Sequence, residues 1–162
     1  MDYSTPRYHE VVGFDLFPIF FPSLAEPRLT TSQYSEFANI SEGMVVLDLG
    51  AYSDLTLIIF AQKTGLTGTV IAVEANERNI EAIKINFRNY ERHIKSKINL
   101  LEGAVWKNNL GLEFSSEGNM GSSASSIVGR KRGNLIKVSS YSLSTITNMY
   151  KLSKVDFIKC DI

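Results

Sequence analysis

The chain has 162 residues, 44% of them apolar and 21% charged, with seventeen basic residues balancing seventeen acidic ones. That composition belongs to a folded globular chain, not a disordered one, and it lacks the basic surplus of a nucleic-acid binder. No apolar run reaches the roughly 18–20 residues that cross a bilayer, Cys160 has no disulfide partner, and His9, His93 and Cys160 cannot make a zinc site at any usual spacing. No metal, membrane or nucleic-acid partner is expected, and the reducing, cytoplasmic compartment is the expected location.

All four prolines (Pro6, Pro18, Pro22, Pro27) lie in the first 27 residues, whereas ten of the eleven glycines lie from Gly43 onward. This shift separates an N-terminal arm, residues 1–33, from a domain over residues 34–162. The arm carries Phe14, Phe17, Phe20 and Phe21 among its prolines. It reads either as an irregular apolar cover on one face of the domain or as a lid over a ligand site. Thr31 to Asn39 is expected to form a short helix with Tyr34, Phe37 and Ala38 as its apolar positions.

Met44 to Leu49 is a continuous apolar run closed by Gly50, the pattern of a parallel strand covered on both faces. Leu55 to Lys63 predicts a helix with Gly65 as its C-terminal cap. Thr69 to Glu74 predicts a second buried strand. Asn76 can cap a helix running to Tyr90, in which Ile80, Ile83, Phe87 and Tyr90 form one face and Glu81 with Lys84 a solvated pair. Lys97 to Leu101 is a third strand. Leu112–Phe114 and Leu135–Val138 read as shorter strands around a Ser/Gly-rich loop, Ser142 to Leu152 as a helix, and Val155 to Cys160 as a further buried strand. This alternation predicts a right-handed parallel α/β sheet, with its ligands at the carboxyl ends of the strands.

Those strand ends carry the informative residues. Gly50 allows a sharp turn after the first strand. Glu74 ends the second strand, where an acid can accept hydrogen bonds from both hydroxyls of a ribose. A dinucleotide would need further glycines against its pyrophosphate. Here Tyr52 stands at the second such position, and Asp54 near the helix start would repel a diphosphate. NAD and FAD are therefore disfavoured, and a nucleoside without phosphate is preferred. S-adenosylmethionine is such a ligand, and carboxylates tolerate its amino group and sulfonium.

Four blocks carry a resemblance: Val45–Ala51, Val70–Asn76, Gly103–Trp106 and Val155–Ile162. In order and spacing they resemble the FkbM family of S-adenosylmethionine-dependent methyltransferases, from about Tyr34 to Ile162. The resemblance implies a Rossmann-like class I methyltransferase fold, three-layer α/β/α, of which this chain holds the front half of the parallel sheet. It also implies methyl transfer, typically to a hydroxyl oxygen of a small molecule or sugar. Carried over, Gly50 and Ala51 match the loop beside the methionine moiety, and Asp48 the acid that opens this motif. Glu74, followed by Ala75, matches the ribose acid; Gly103 and Ala104 match the turn lining the adenine. Asp161 matches the aspartate of an Asp-x-Glu-Gly block, as base, metal ligand or substrate contact, or as a structural aspartate ordering the next loop. Tyr52 and Asp54 occupy cofactor-loop positions where the family usually has Asn and Gly. The Glu-Gly expected after Ile162 is absent, so the chain is expected to be C-terminally truncated. A nucleoside-binding or scaffold module that has lost catalysis is the competing expectation.

Weaker candidates are Arg130-Lys131-Arg132 as an anion contact, Ser122, Ser123, Ser125 and Ser126 as a substrate-lining loop, and Trp106 as an adenine stack or a core residue. Cys160 is expected to be an inert, small apolar residue, and His93 to sit at a helix C-terminus.

Overall fold

A computed structural model of the chain describes residues 5–91, 96–116, 123–124 and 134–162. At its centre four parallel strands stand in the order β11-β3-β4-β5: Phe157–Cys160, Val45–Leu49, Thr69–Glu74 and Lys97–Glu102. The register is even, with Val46 beside Val70 and Val70 beside Ile98. Chain order runs outward from β3 to β4 and β5, then returns to β11 on the other side of β3. The carboxyl ends of β3 and β11 therefore flank the point where strand order reverses, the position at which open α/β sheets bind ligands.

Alternation along the strands sorts the core into two faces. Val46, Val70 and Ala72 meet Leu57, Phe60 and Ala61 of helix α2 (Leu55–Thr64) and Ile83 of α3 (Glu77–Tyr90). Leu47, Leu49, Ile71 and Val73 point the other way and meet Ile146 of the short helix α4 (Leu143–Met149). Helices thus cover both sheet faces, as an α/β Rossmann-like fold requires. Local chemistry sets the ends of these helices. Asn76 Oδ1 accepts from the Arg78 and Asn79 N–H groups at the start of α3, and Ser142 Oγ accepts from Thr145 at the start of α4. Gly65 closes α2 at φ +64°.

The arm differs from the irregular cover expected of it. Arg7–Val11 (β1) and Phe14–Phe21 (β2) form an antiparallel hairpin turned at Val12-Gly13. The register slips between His9 and Val11, so Pro18, which has no N–H to give, lies where the ladder is interrupted. Val11, Phe14, Ile19 and Phe21 are buried against Tyr52, Leu55, Ile58, Ile59 and Tyr90. Phe17 meets Tyr90 edge to face at 4.7 Å between centroids. Asn86 of α3 locks this packing: it accepts from the Phe20 N–H at 2.8 Å and donates to the Phe20 carbonyl at 3.0 Å and the Ser53 carbonyl at 2.8 Å.

Four further expectations are corrected. Helix α1 runs Arg28–Phe37, and Phe37 is 90% exposed; Thr31 and Ser35 are buried in its place. Glu81 and Lys84 lie on the solvated face as expected, but Lys84 takes Glu102 of β5 as its ion-pair partner, at 2.5 Å. Strand β11 is covered on one side only: Phe157 and Lys159 turn inward, whereas Ile158 and Cys160 turn out. Cys160 is accordingly exposed and not a core residue. The two short strands form where expected, and the structure pairs Leu112–Ser116 (β7) antiparallel to Asn134–Val138 (β9), with β8 (Ser123–Ala124) beside β7. Ala104–Val105 (β6) runs parallel to Ser140–Tyr141 (β10).

Candidate functional site

The carboxyl ends of β3 and β11 are joined by an ion pair across the two neighbouring strands. Asp48 and Lys159 are register partners, so their side chains leave the sheet on the same side. Lys159, 5% exposed, donates to Asp48 Oδ1 at 2.9 Å, to the Gly50 carbonyl at 3.2 Å and to Asp161 Oδ2 at 3.1 Å. Its three protons are thereby spent, and its ammonium lies 5.8 Å from the centroid of the Tyr34 ring. Burial disfavours the lysine's charge, but Asp48 and Asp161 together hold its pKa above the ordinary value. Burial lifts the Asp48 carboxyl, with Lys159 opposing.

Gly50 sits at φ +84° directly after β3, and its N–H donates to the Val73 carbonyl at 2.8 Å. A Cβ there would collide with the Asp161 backbone carbonyl. The glycine is thus required twice, by its dihedral angle and by the passage of β11 over it. Asp161 follows β11; its N–H donates to the Leu49 carbonyl at 2.9 Å, and its side chain is largely exposed.

The turn Ala51–Asp54 is buried. Tyr52, at φ +53°, donates its hydroxyl to the Leu24 carbonyl at 2.7 Å and shares a bond of the same length with Ser23 Oγ. Ser53 Oγ donates to Glu26 Oε2 at 2.7 Å. The segment Ser23–Glu26 therefore lies across the turn. Burial pushes the Glu26 carboxyl up to about 7, although the Ser53 bond and Lys159 pull the other way. Asp54 is 0% exposed at φ +92°, and neither carboxyl oxygen has a hydrogen-bond partner. Burial holds its pKa well above the carboxylate range, with Asp48 and Glu26 adding to the effect.

Glu74 ends β4 with its carboxylate turned into backbone. Oε1 accepts from the Ala75 N–H at 2.9 Å and the Asn76 N–H at 2.8 Å, and Oε2 from the Tyr52 N–H at 2.9 Å. Burial raises its pKa and these bonds oppose the rise. Glu74 thus ties the β3–α2 turn to the end of β4. Gly103, at φ +148°, lies under the Tyr141 ring and the Ser139 carbonyl, where a Cβ would meet both. The Ala104 N–H donates to that same Ser139 carbonyl at 2.9 Å.

The structure therefore gathers Asp48, Gly50, Ala51, Tyr52, Asp54 and Asp161 at the carboxyl ends of β3 and β11, with Glu74 and Ala75 on the β4 side. Gly103 and Ala104 stand one strand further, beneath β10. The half-buried Trp106 pairs its backbone N–H with the Tyr141 carbonyl at 2.9 Å. His93, Ser122, Ser125, Ser126 and Arg130-Lys131-Arg132 lie outside the described residues. Sequence reasoning missed Lys159, Glu26 and Asn86. Lys159 had a legible signal: one lysine inside an apolar strand answers one aspartate inside another. A separate open groove of about 440 Å³ runs beside Gly111, Lys137, Ser139, Ser140 and Thr145. Among the described residues no group of His, Cys, Asp or Glu is placed to hold a metal ion, and no helix is long and apolar enough to cross a membrane.

The donors and acceptors at the ends of β3 and β11 decide what ligand fits there. Carboxylates outnumber cations, and the buried oxygens Asp48 Oδ2, Asp54 Oδ1 and Asp54 Oδ2 lack donors. Acceptors without donors offer nothing to a diphosphate and suit a donor such as the amino group at the methionine end of S-adenosylmethionine.

The parallel sheet with helices on both faces defines an α/β protein of the Rossmann-like type. The chain belongs to the methyltransferase FkbM domain family, whose profile matches residues 48–162. No curated protein matches it. Among solved structures it is similar to a protein-L-isoaspartate O-methyltransferase, at 20% identity and a TM-score of 0.43 over 56% of this chain and 26% of that one. A precorrin-6y C5,15-methyltransferase from Geobacter metallireducens gives 19% and 0.44 over 49% of this chain and 40% of that one. A SAM-dependent methyltransferase from Aquifex aeolicus gives 20% and 0.40 over 52% and 43%. The chain thus spans between about a quarter and two fifths of these proteins.

Proposed function

We propose that the chain binds S-adenosylmethionine at the carboxyl ends of β3 and β11 and serves methyl transfer to a hydroxyl oxygen of a small molecule or sugar. The observation that carries this reading is the meeting of Asp48, Gly50, Lys159 and Asp161 at the strand-order reversal of a family member. S-adenosylmethionine, when bound, supplies a methyl group activated on a sulfonium. The carbon needs no acid, so the protein's task is alignment. The Gly50–Ala51 turn would seat the methionine end. Glu74 would hold the ribose once the Tyr52 N–H releases Oε2. Asp161, fixed by Lys159 at the end of β11, would accept the proton of the attacking hydroxyl. The acceptor is read as a hydroxyl compound and not a nucleic acid, in keeping with the balanced charge of the chain. A single exposed cysteine suits a reducing, cytoplasmic location.

Transfer of an isotopically labelled methyl group to a panel of hydroxyl acceptors tests this reading. Label on an acceptor oxygen that falls sharply with Asp161→Asn supports it. The buried Tyr52–Asp54 turn beneath Ser23–Glu26 favours a second reading, a module that binds the nucleoside without catalysis. Saturable binding of S-adenosylmethionine with no label transferred to any acceptor would select that reading.

A further inference from the structure

Glu26 lies on the segment between β2 and α1, outside the residues 48–162 that match the family. It nevertheless reaches the turn between β3 and α2. Ser53 Oγ donates to its Oε2 at 2.7 Å. The charged and titratable groups that face it come from three sides: Asp48 in β3, Tyr52 and Asp54 in the turn, and Lys159 with Asp161 at the end of β11. Four carboxyl groups therefore share one ammonium. That ammonium has no proton left for Glu26, since all three go to Asp48, the Gly50 carbonyl and Asp161.

A second, independent feature marks the place as a site for a guest. Asp48 and Asp54 are wholly buried, yet Asp48 Oδ2 and both Asp54 oxygens have no partner. Buried acceptors without donors are costly, and a positively charged guest relieves that cost. The carboxyl groups do not converge into a metal-binding set, so an organic cation suits them better than a bare ion.

We infer that Glu26 is the counter-ion for the cationic methionine end of the cofactor, which makes the N-terminal segment part of the binding site. This rests on the proposed cofactor reading and extends it to a residue outside the family's matched region. The carboxyl must be ionised to act. Burial holds it near neutrality in the free protein, so binding releases its proton. The sign follows: below about pH 7 the guest must expel a proton and affinity falls, and above it that cost disappears. Between pH 7.2 and pH 5.8 a single such group weakens binding about tenfold.

The test is calorimetric titration of the full chain with S-adenosylmethionine at pH 6.5 in two buffers of different ionisation enthalpy, repeated with Glu26→Gln. A wild type that releases most of one proton more per bound ligand than a folded E26Q, together with weaker binding and a shallower pH slope in E26Q, supports the inference. Binding with no buffer dependence of the heat overturns it while leaving the cofactor reading intact. So does an E26Q chain that keeps the wild-type affinity and pH slope. If the wild type does not bind S-adenosylmethionine at all, the cofactor reading falls and the inference with it. Should E26Q fail to fold, Glu26→Asp takes its place: a weaker affinity with a changed proton count supports the inference, and an unchanged affinity and proton count overturn it.

Discussion

Replacing Asp54 by glycine should stabilise the protein, against the usual direction for a buried substitution. Two costs are removed. Asp54 holds φ +92°, a conformation that costs a residue with a Cβ roughly 1 kcal/mol and costs glycine almost nothing. Its carboxyl is buried with neither oxygen partnered, a penalty of about 1–3 kcal/mol. Two smaller terms oppose: a small void of about 1 kcal/mol, and about 0.5–1 kcal/mol for the greater freedom of glycine in the unfolded chain. The net runs from about zero to a gain of about 2.5 kcal/mol, or up to roughly 10 °C in Tm for a chain of this size. The pH dependence gives a second check. The folded state keeps the Asp54 proton well above the carboxyl's ordinary pKa, whereas the unfolded chain releases it. Wild-type stability from this group is therefore lost as pH rises from the ordinary carboxyl range, and the variant escapes that loss. Urea unfolding followed by far-UV circular dichroism and by the fluorescence of Trp106, at several pH values, measures both effects. An Asp54→Gly chain less stable than wild type at every pH, or an advantage that shrinks as pH rises, would refute the reasoning.

Three other substitutions probe the same construction. Lys159→Met leaves the buried Asp48 carboxylate without its partner and should cost about 3–5 kcal/mol in urea unfolding, with part recovered when Asp48→Asn is added. Phe21→Ala opens the cluster that seats the hairpin on α2 and α3 and should cost about 3–5 kcal/mol; an effect below about 1 kcal/mol would mean the hairpin is not part of the core. Gly50→Ala forces a Cβ against the Asp161 carbonyl at a positive φ. It should cost more than about 1 kcal/mol in thermal melts and weaken S-adenosylmethionine binding in titration.

The sheet was legible because its strands are short, β-branched and closed by glycine or an acid: Thr69–Glu74 and the Asn76-capped helix to Tyr90 fall where the residues place them. The hairpin was not, because Pro18 and consecutive phenylalanines hide the alternation that marks a strand, and the pairing slips at that point. Phe37 misled for a related reason. Helical spacing identifies a face, but whether anything covers that face is a tertiary fact, and here Thr31 and Ser35 point inward. Of the candidate site residues, Gly50, Glu74 and Asp161 could be named from strand ends, and Asp48 from the family resemblance. Glu26 could not, since nothing local in the segment before α1 announces that it will meet Ser53 twenty-seven residues away. Nor could the sequence reveal that Glu74 spends its oxygens on the Tyr52, Ala75 and Asn76 amides.

The most direct test of the account is equilibrium titration of the full chain with S-adenosylmethionine, with NADH as the control ligand. The account predicts saturable one-to-one binding of S-adenosylmethionine, weakened by Gly50→Ala, and no saturable binding of NADH. No heat from S-adenosylmethionine at millimolar concentration, or tight saturable binding of NADH, would contradict it.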